Sequence, residues 1–219
     1  YTSINQHGVN EGSSDNLTLG DGAGSSSSTG TQNTFLGTNA GNAITSGNRN
    51  TFVGANTGKV NTIGDDNTFI GSNAGISVST GDYNTLLGSN AGGYLTTGVQ
   101  NLIAGRNAGR SLQNGNYNTL LGEVAGYTTT SGSQNVMVGQ GAGFSNTTGA
   151  RNTYIGGGDS SNVGAGYANT DGNDNVALGH QALKTNISAD DNTAIGKKAI
   201  YSTVGADNTA VGSDAGYYQ

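Results

Sequence analysis

Apolar residues recur in adjacent pairs along this chain, and each pair stands in the same local pattern. The pattern is Asn, then Thr in most copies, two residues that are mostly apolar, and Gly. Successive copies are 17 residues apart, except for one interval of 23 and a last one of 16. The twelve copies begin at Asn16, Asn33, Asn50, Asn67, Asn84, Asn101, Asn118, Asn135, Asn152, Asn175, Asn192 and Asn208. A fixed period of this kind is typical of a solenoid in which each repeat forms one coil.

The repeat predicts an all-β fold, namely a parallel β-roll (β-solenoid) with 17-residue coils. With the Asn as position 1, positions 1 to 4 predict a short strand. Glycines at positions 5 and 9 predict a corner, because Gly adopts positive φ without strain. Positions 10 to 13 predict a second, more variable stretch on the solvent side. A helix is excluded because the apolar pairs follow no helical period, and each interior Gly would cost about 1 kcal/mol.

The Asn at position 1 predicts a structural ladder. Stacked coils place identical positions about 4.8 Å apart, so each amide can bond to its neighbours or to a corner carbonyl. The predicted ladder residues are Asn33, Asn50, Asn67, Asn84, Asn101, Asn118, Asn135 and Asn152.

The two apolar positions predict an oligomer. Position 4 is aliphatic or Ala in every copy, and we expect it to fill the coil. Position 3 would then face outward as an apolar row that soluble monomers rarely expose, which predicts an oligomer formed by copies of this chain. The predicted interface residues are Phe35, Phe52, Phe69, Leu86, Ile103, Leu120, Met137 and Tyr154. Position 3 is Ala in the last three copies, so the packed axis is expected to narrow towards the C-terminal end.

Breaks in the period predict the organisation of the chain. Residues 1–15 do not fit the repeat and are expected to form an irregular cap or junction, and residues 16–156 hold nine regular coils. Residues 157–174 contain a six-residue insertion, since 23 is 17 plus 6, and this loop is a candidate for a specialised contact. Residues 175–219 hold three further coils, and we expect the chain to continue beyond them.

Composition and charge exclude several functions. The chain has 40 Gly, no Cys and 32% hydrophobic residues, a composition that by itself indicates disorder. The regular spacing of its apolar residues indicates a folded repeat instead. Its formal net charge is −6 and its eight Lys and Arg residues are scattered, which argues against nucleic-acid binding. No apolar run approaches the roughly 20 residues of a membrane span, so no membrane contact is expected within this segment.

Candidate cofactor and metal sites carry weak signals. Gly-rich stretches at 20–24, 139–143 and 156–166 lack the following helix and Lys of a phosphate loop. His180 could form a three-His site near a trimer axis, but a surface His is the favoured interpretation. Calcium between acidic corners such as Asp65–Asp66 is conceivable, although solvated corners are favoured. No cofactor and no catalytic residues are predicted.

The three copies N-V-A-L-G-H-Q-A-L (175–183), N-T-A-I-G-K-K-A-I (192–200) and N-T-A-V-G-S-D-A-G (208–216) resemble known repeats. They are similar to the head repeats of YadA-like trimeric autotransporter adhesins and to NTAxG-type repeats of phage tail fibres. The resemblance covers roughly residues 16–216 and implies a left-handed β-roll, three chains about one axis and a role in attachment. The 17-residue period and the bulky residues at position 3 depart from the shorter, Ala-containing family repeat.

Together these observations predict a non-catalytic structural or adhesive fibre segment, extracellular, on a bacterial cell surface or a virion tail fibre. Its expected partners are copies of itself and a host-cell or surface receptor, for which a glycan is one candidate. The alternative is a carbohydrate-binding module that uses Tyr94, Tyr117, Tyr127 and Tyr167 as stacking platforms. A minor alternative is an ice-binding solenoid based on the Thr column at position 2, which lacks a second Thr column. An enzyme built on the solenoid is the least favoured hypothesis.

Overall fold

A computed structural model describes residues 15–26, 29–202 and 205–217 and confirms an all-β solenoid. The part of the chain so described contains no helix, and each repeat contributes one three-residue strand. The strands are β1 (Leu17–Leu19), β2 (Thr34–Leu36), β3 (Thr51–Val53), β4 (Thr68–Ile70), β5 (Thr85–Leu87), β6 (Leu102–Ala104), β7 (Thr119–Leu121), β8 (Val136–Val138), β9 (Thr153–Ile155), β10 (Val176–Leu178), β11 (Thr193–Ile195) and β12 (Thr209–Val211). The predicted N-terminal cap lies outside the described residues except for Asp15.

The strands form one parallel sheet in chain order, from β1 to β12. Each residue pairs with its counterpart one repeat away, as Phe52 does with Phe69. Every strand ends at the position-5 Gly, where the chain turns. At Gly71, for example, φ is +129° and an added Cβ would lie 2.6 Å from the carbonyl carbon of Gly88, so no side chain fits. The glycines thus set both the corner and the close stacking of the coils.

Hydrogen bonds between coils continue outside the strands. The second stretch of each coil forms turns rather than a strand. Its backbone is nevertheless bonded to the next coil: Ala43 N–H donates to the Lys59 carbonyl at 3.1 Å, and Tyr94 N–H to the Arg110 carbonyl at 2.9 Å. Backbone hydrogen bonds therefore join successive coils in the turns as well as in the sheet. They also provide partners for the backbone polar groups of the turns.

The core corrects the predicted orientation of the two apolar positions. Position 3 points into the coil and position 4 points outward, the reverse of the prediction. The residues predicted as an oligomer interface are 0 to 1% exposed within their own chain: Phe35, Phe52, Phe69, Leu86, Ile103, Leu120, Met137 and Tyr154. Their assignment as an interface is therefore wrong, because these side chains are already covered by the coil to which they belong.

The physical reason lies in the alternation of side chains along a strand. Positions 1 and 3 face the same side of a strand, and positions 2 and 4 face the other. The Asn at position 1 is buried, so position 3 is buried with it, while the Thr at position 2 accompanies position 4 outward. Inside, equivalent rings stack on one another: the centroids of Phe35 and Phe52 are 5.3 Å apart, and those of Phe52 and Phe69 are 4.7 Å apart.

The large inward side chains depend on the Gly at position 9. An added Cβ on Gly58 would lie 2.5 Å from the ring of Phe52 in the same coil. In β10 and β11 the relation is reversed, because position 3 is Ala177 or Ala194 and position 9 is Leu183 or Ile200. Both Leu183 and Ile200 are fully buried. In these two coils position 9 supplies the large apolar side chain that position 3 lacks. The last coil, with Ala210 at position 3 and Gly216 at position 9, has neither.

This exchange has a backbone cost. Leu183 and Ile200 retain the left-handed conformation of the glycines they replace, with φ of +51° and +41°. That region is unfavourable for residues with a Cβ, and most of all for a β-branched residue such as Ile. Burial of a large aliphatic side chain offsets this strain.

Tyr154 is the one aromatic residue with a hydroxyl among the position-3 side chains. Its hydroxyl is buried and makes no hydrogen bond of normal geometry. Burial raises the pKa of Tyr154 far above its ordinary value of 10.0, and the nearby Asn175 side chain acts in the opposite direction without cancelling this rise. A raised pKa in the folded state means that the phenol stays neutral there while the unfolded chain ionises.

We therefore expect the chain to lose stability progressively as pH rises above about 10, since full stability is present only below the pKa of the unfolded tyrosine. Tyr154→Phe should reduce this alkaline loss without weakening the fold at pH 7, because it removes an unpaired buried hydroxyl. Urea unfolding of both proteins at pH 7, 9 and 11 measures the effect. Tyr117→Phe, at an exposed tyrosine, is the control and should leave the pH dependence unchanged.

Candidate functional surfaces

The interior Asn column forms the predicted ladder. In each coil the Asn side chain makes two kinds of hydrogen bond. The Asn50 oxygen accepts the backbone N–H of Asn67 in the following coil at 3.0 Å, and the Asn50 amide donates to the Gly64 carbonyl at 2.7 Å. The same geometry recurs through the predicted residues, and Asn175, Asn192 and Asn208 continue the ladder. Each Asn thus joins a strand to its neighbour and to the corner that precedes the next strand.

We expect Asn101→Ala to destabilise the middle of the solenoid by about 2–4 kcal/mol. The change removes the acceptor for the Asn118 N–H at 3.0 Å and the donor to the Gly115 carbonyl at 2.9 Å, and both groups stay buried without a partner. Urea unfolding monitored by circular dichroism measures the loss. Asn114→Ala, on the exposed side of the coil, is the matched control, and an equal effect of the two changes would contradict the role of the ladder.

A second ladder lies at position 16, where the sequence suggested only solvated acidic corners. Here the side chain accepts a backbone N–H of the preceding coil. Asp65 accepts from Asn48 N–H at 2.6 Å, Asp82 from Asp65 N–H at 2.8 Å, and Asp190 from Asn173 N–H at 2.6 Å. These acids therefore have a structural role. Among the described residues, no three His, Asp or Glu side chains lie close enough together to hold a metal ion.

Ion pairs join successive coils on the surface. Arg49 donates to Asp66 at 2.6 Å, Arg151 donates to Asp174 at 2.7 Å, and Arg106 pairs with Glu123. The Arg49 guanidinium lowers the pKa of Asp66, and Arg151 does the same for Asp174. Because the pairs are solvent-exposed, they align neighbouring coils and add little stability.

Aromatic side chains form a column at position 10 of the C-terminal half. The Phe144 ring stacks on Tyr127 with centroids 5.1 Å apart and on Tyr167 with centroids 5.4 Å apart. Phe144 therefore covers a ring face of Tyr127 and of Tyr167, which limits both as platforms for a sugar. Of the four tyrosines predicted as platforms, Tyr94 and Tyr117 are the ones with about half of their surface exposed, and they lie in different columns.

The outer side of the sheet carries an aliphatic column beside a Thr-rich column along all twelve strands. We call this the strand face; it consists of the residues at positions 2 and 4. Ile70, Leu178 and Val211 are 42%, 43% and 68% exposed. Its position-4 column is Leu19, Leu36, Val53, Ile70, Leu87, Ala104, Leu121, Val138, Ile155, Leu178, Ile195 and Val211. A continuous apolar surface of this length is unusual for a soluble monomer.

The insertion is confined to one corner of one coil. The extra residues lie between Gly156 and Ala165, and Ala165 N–H donates to the Gly156 carbonyl at 3.1 Å as if they were absent. Residues 165–174 then resume the regular coil, so the inserted loop is shorter than the 157–174 region taken from the sequence. The loop is tied to the previous coil through Gln140, whose side-chain amide donates to the Asn162 oxygen at 2.7 Å.

No helix in residues 15–26, 29–202 or 205–217 is long and apolar enough to cross a membrane. Comparison of the chain with protein-family models, with curated protein sequences and with solved structures gives no match. Function must therefore be argued from the surfaces of this molecule.

Proposed function

We propose that this chain is a non-catalytic segment of an extracellular attachment fibre, in which three copies assemble through their strand faces. The observation that carries the proposal is the apolar strand face, which follows the repeat for the full length of the sheet. The resemblance of residues 175–216 to adhesin and tail-fibre repeats supports the trimer and the location on a bacterial cell surface or virion.

The repeat spacing argues that the partner is another copy of the chain. The strand face alternates a Thr-rich column with an aliphatic column, each repeated once per coil. A partner that covers it must be equally long and must repeat at the same interval. A parallel copy of the same chain satisfies both requirements, and rotational symmetry closes the assembly so that no apolar face remains exposed.

The rest of the coil suits a structural role. The polar side chains at positions 1 and 16 are used in ladders between coils. A rod built in this way holds its coils at fixed positions along its axis. A fibre that presents a binding site to a surface requires such a rigid support. Ice binding is less well supported, since the column beside the Thr residues is aliphatic.

Sedimentation equilibrium of the purified chain tests the proposal. We expect three times the mass of one chain at micromolar concentration, and Leu87→Asp together with Val138→Asp should yield folded monomers, because both residues lie on the strand face. Gln113→Asp, at an exposed site on the second stretch, is the control and should leave the trimer intact. A monomeric wild-type chain would overturn the assembly.

A further inference from the structure

Arg110 differs from the other arginines of the chain. Arg49, Arg106 and Arg151 each pair with an acid in the next coil. Within the described residues Arg110 has no carboxylate partner. Its guanidinium instead lies 4.9 Å from the centre of the Tyr94 ring and 5.8 Å from that of Tyr127.

Two hydrogen bonds hold this guanidinium in place. It donates to the hydroxyls of Tyr94 and Tyr127, each at 3.2 Å. A guanidinium has five N–H donors, so three are left for a ligand. The rings fix its orientation before a ligand arrives, and such preorganisation lowers the entropic cost of binding. Arginine is suited to a carboxylate, because its planar guanidinium can bind both carboxylate oxygens in a bidentate manner.

Arg110 borders a shallow depression of about 190 Å³ on the outer surface. Its lining is Asn73, Ile76, Asn90, Gly93, Tyr94 and Arg110. The lining residues thus include two asparagines, a tyrosine with a partly exposed ring, an isoleucine and an arginine. Sugars are recognised by this combination, because amides bond to hydroxyl groups while an aromatic ring packs on the apolar C–H face of the sugar.

Gly93 opens the depression. It occupies position 10, where the flanking coils carry Ile76 and Arg110. An added Cβ at Gly93 would lie 3.3 Å from the Asn90 carbonyl oxygen and 3.9 Å from Arg110 Cγ. A side chain could therefore stand there with little rearrangement, so the fold does not require this glycine. Because Gly93 has no side chain, space remains beside Arg110 and Tyr94.

We propose that this depression binds one carboxylated sugar unit, such as a hexuronate, of an acidic surface polysaccharide. Arg110 binds the carboxylate, Tyr94 packs against the sugar ring, and Asn73 and Asn90 bond to its hydroxyls. The inference rests on the proposed attachment role and names the class of receptor. The site lies on the corner and the second stretch of the coil, and none of its lining residues is at position 2 or 4. Trimer assembly through the strand faces therefore leaves it accessible and provides three copies for multivalent binding.

NMR titration of the intact wild-type chain with methyl glucuronide, methyl glucoside and acetate tests the site. We expect the glucuronide to bind most tightly and to shift the resonances of Tyr94 and Gly93. Arg110→Gln should weaken glucuronide binding by about tenfold or more. Gly93→Gln should abolish it by filling the depression while the protein stays folded.

Two matched controls separate the site from general charge. Arg106→Gln removes an arginine from the same coil, and Lys59→Gln removes an exposed cation at position 10 of another coil. Both should leave the affinity for the glucuronide within about twofold of wild type.

Specific outcomes would overturn the inference. Equal binding of glucuronide and glucoside removes the role of the carboxylate, and equal binding of glucuronide and acetate removes the sugar. Tighter binding of an acidic tetrapeptide than of the glucuronide would assign the site to proteins. Sedimentation of the same samples distinguishes the two proposals: trimers that do not bind glucuronide refute the site alone, and monomers that bind it refute the assembly alone.

Discussion

Phe69→Asp is expected to unfold part of the solenoid, whereas Ile70→Asp, at the next residue of the same strand, should leave the coil folded and disperse the oligomer. Phe69 is fully buried in its own chain and Ile70 is 42% exposed. A carboxylate at position 69 would lie in an apolar core between the Phe52 ring and Leu86 without a partner. The loss from the missing Phe and the buried charge should exceed about 3–5 kcal/mol.

Circular dichroism and sedimentation, measured on the same preparations, separate these outcomes. Phe69→Asp should reduce the unfolding midpoint in urea sharply and expose neighbouring coils to hydrogen exchange. Ile70→Asp should retain the spectrum of a folded chain and sediment as a monomer. Ile70→Val, which keeps the strand face apolar, serves as the control. If Phe69→Asp stays folded and only dissociates, the inward orientation of position 3 is wrong.

The second large effect is expected when Ala177 is replaced by Phe and Leu183 by Gly. Leu183→Gly alone should destabilise the chain by about 2–4 kcal/mol, because a buried leucine is removed and relief of its left-handed backbone offsets only part of the loss. Ala177→Phe alone should cost about 1–3 kcal/mol, because the ring enters space that Leu183 fills. The double variant recreates the Phe-and-Gly arrangement of the N-terminal coils.

We expect the double variant to be more stable than the sum of its single changes predicts, with a coupling of about 1–3 kcal/mol. Urea unfolding of the four proteins, with hydrogen exchange of residues 175–186 as a local measure, gives this coupling. Leu112→Ala combined with Leu183→Gly is the control pair, since the two sites are several coils apart and their effects should add. Additivity of the Ala177 and Leu183 changes would refute compensation between positions 3 and 9.

Much of the backbone could be predicted from the spacing of a few residue types. Asn at position 1 and Gly at position 5 predict a strand, a ladder and a corner, and Asn67 and Gly71 show all three. A signal for the correct orientation was also available, because the Thr at position 2 shares its side of the strand with position 4. The signal was ambiguous because the adjacent positions 3 and 4 are both apolar, and either of them could have filled the core.

Other features could not be predicted from the sequence. The residue before each repeat Asn adopts a left-handed backbone whatever its type, with φ of +57° at both Asp66 and Tyr83. The coil-to-coil geometry imposes this conformation, which the intrinsic preference of Tyr would not select. The role of Asp65 as a hydrogen-bond acceptor could not be predicted either. Its donor, the backbone N–H of Asn48, belongs to the preceding coil and comes close only when the coils stack.

By itself, the sequence determined the period, the coil, its corners and the interior ladder, because these depend on residue types repeated at a constant interval. The tertiary structure decided which apolar position fills the core, since adjacent strand residues point to opposite sides and the burial of the Asn at position 1 places position 3 inside with it. It also decided that Leu183 replaces a ring and that Arg110 lies beside a depression without an acidic partner. Those relations join residues of different stretches or different coils, and their distances exist only once the coils have stacked.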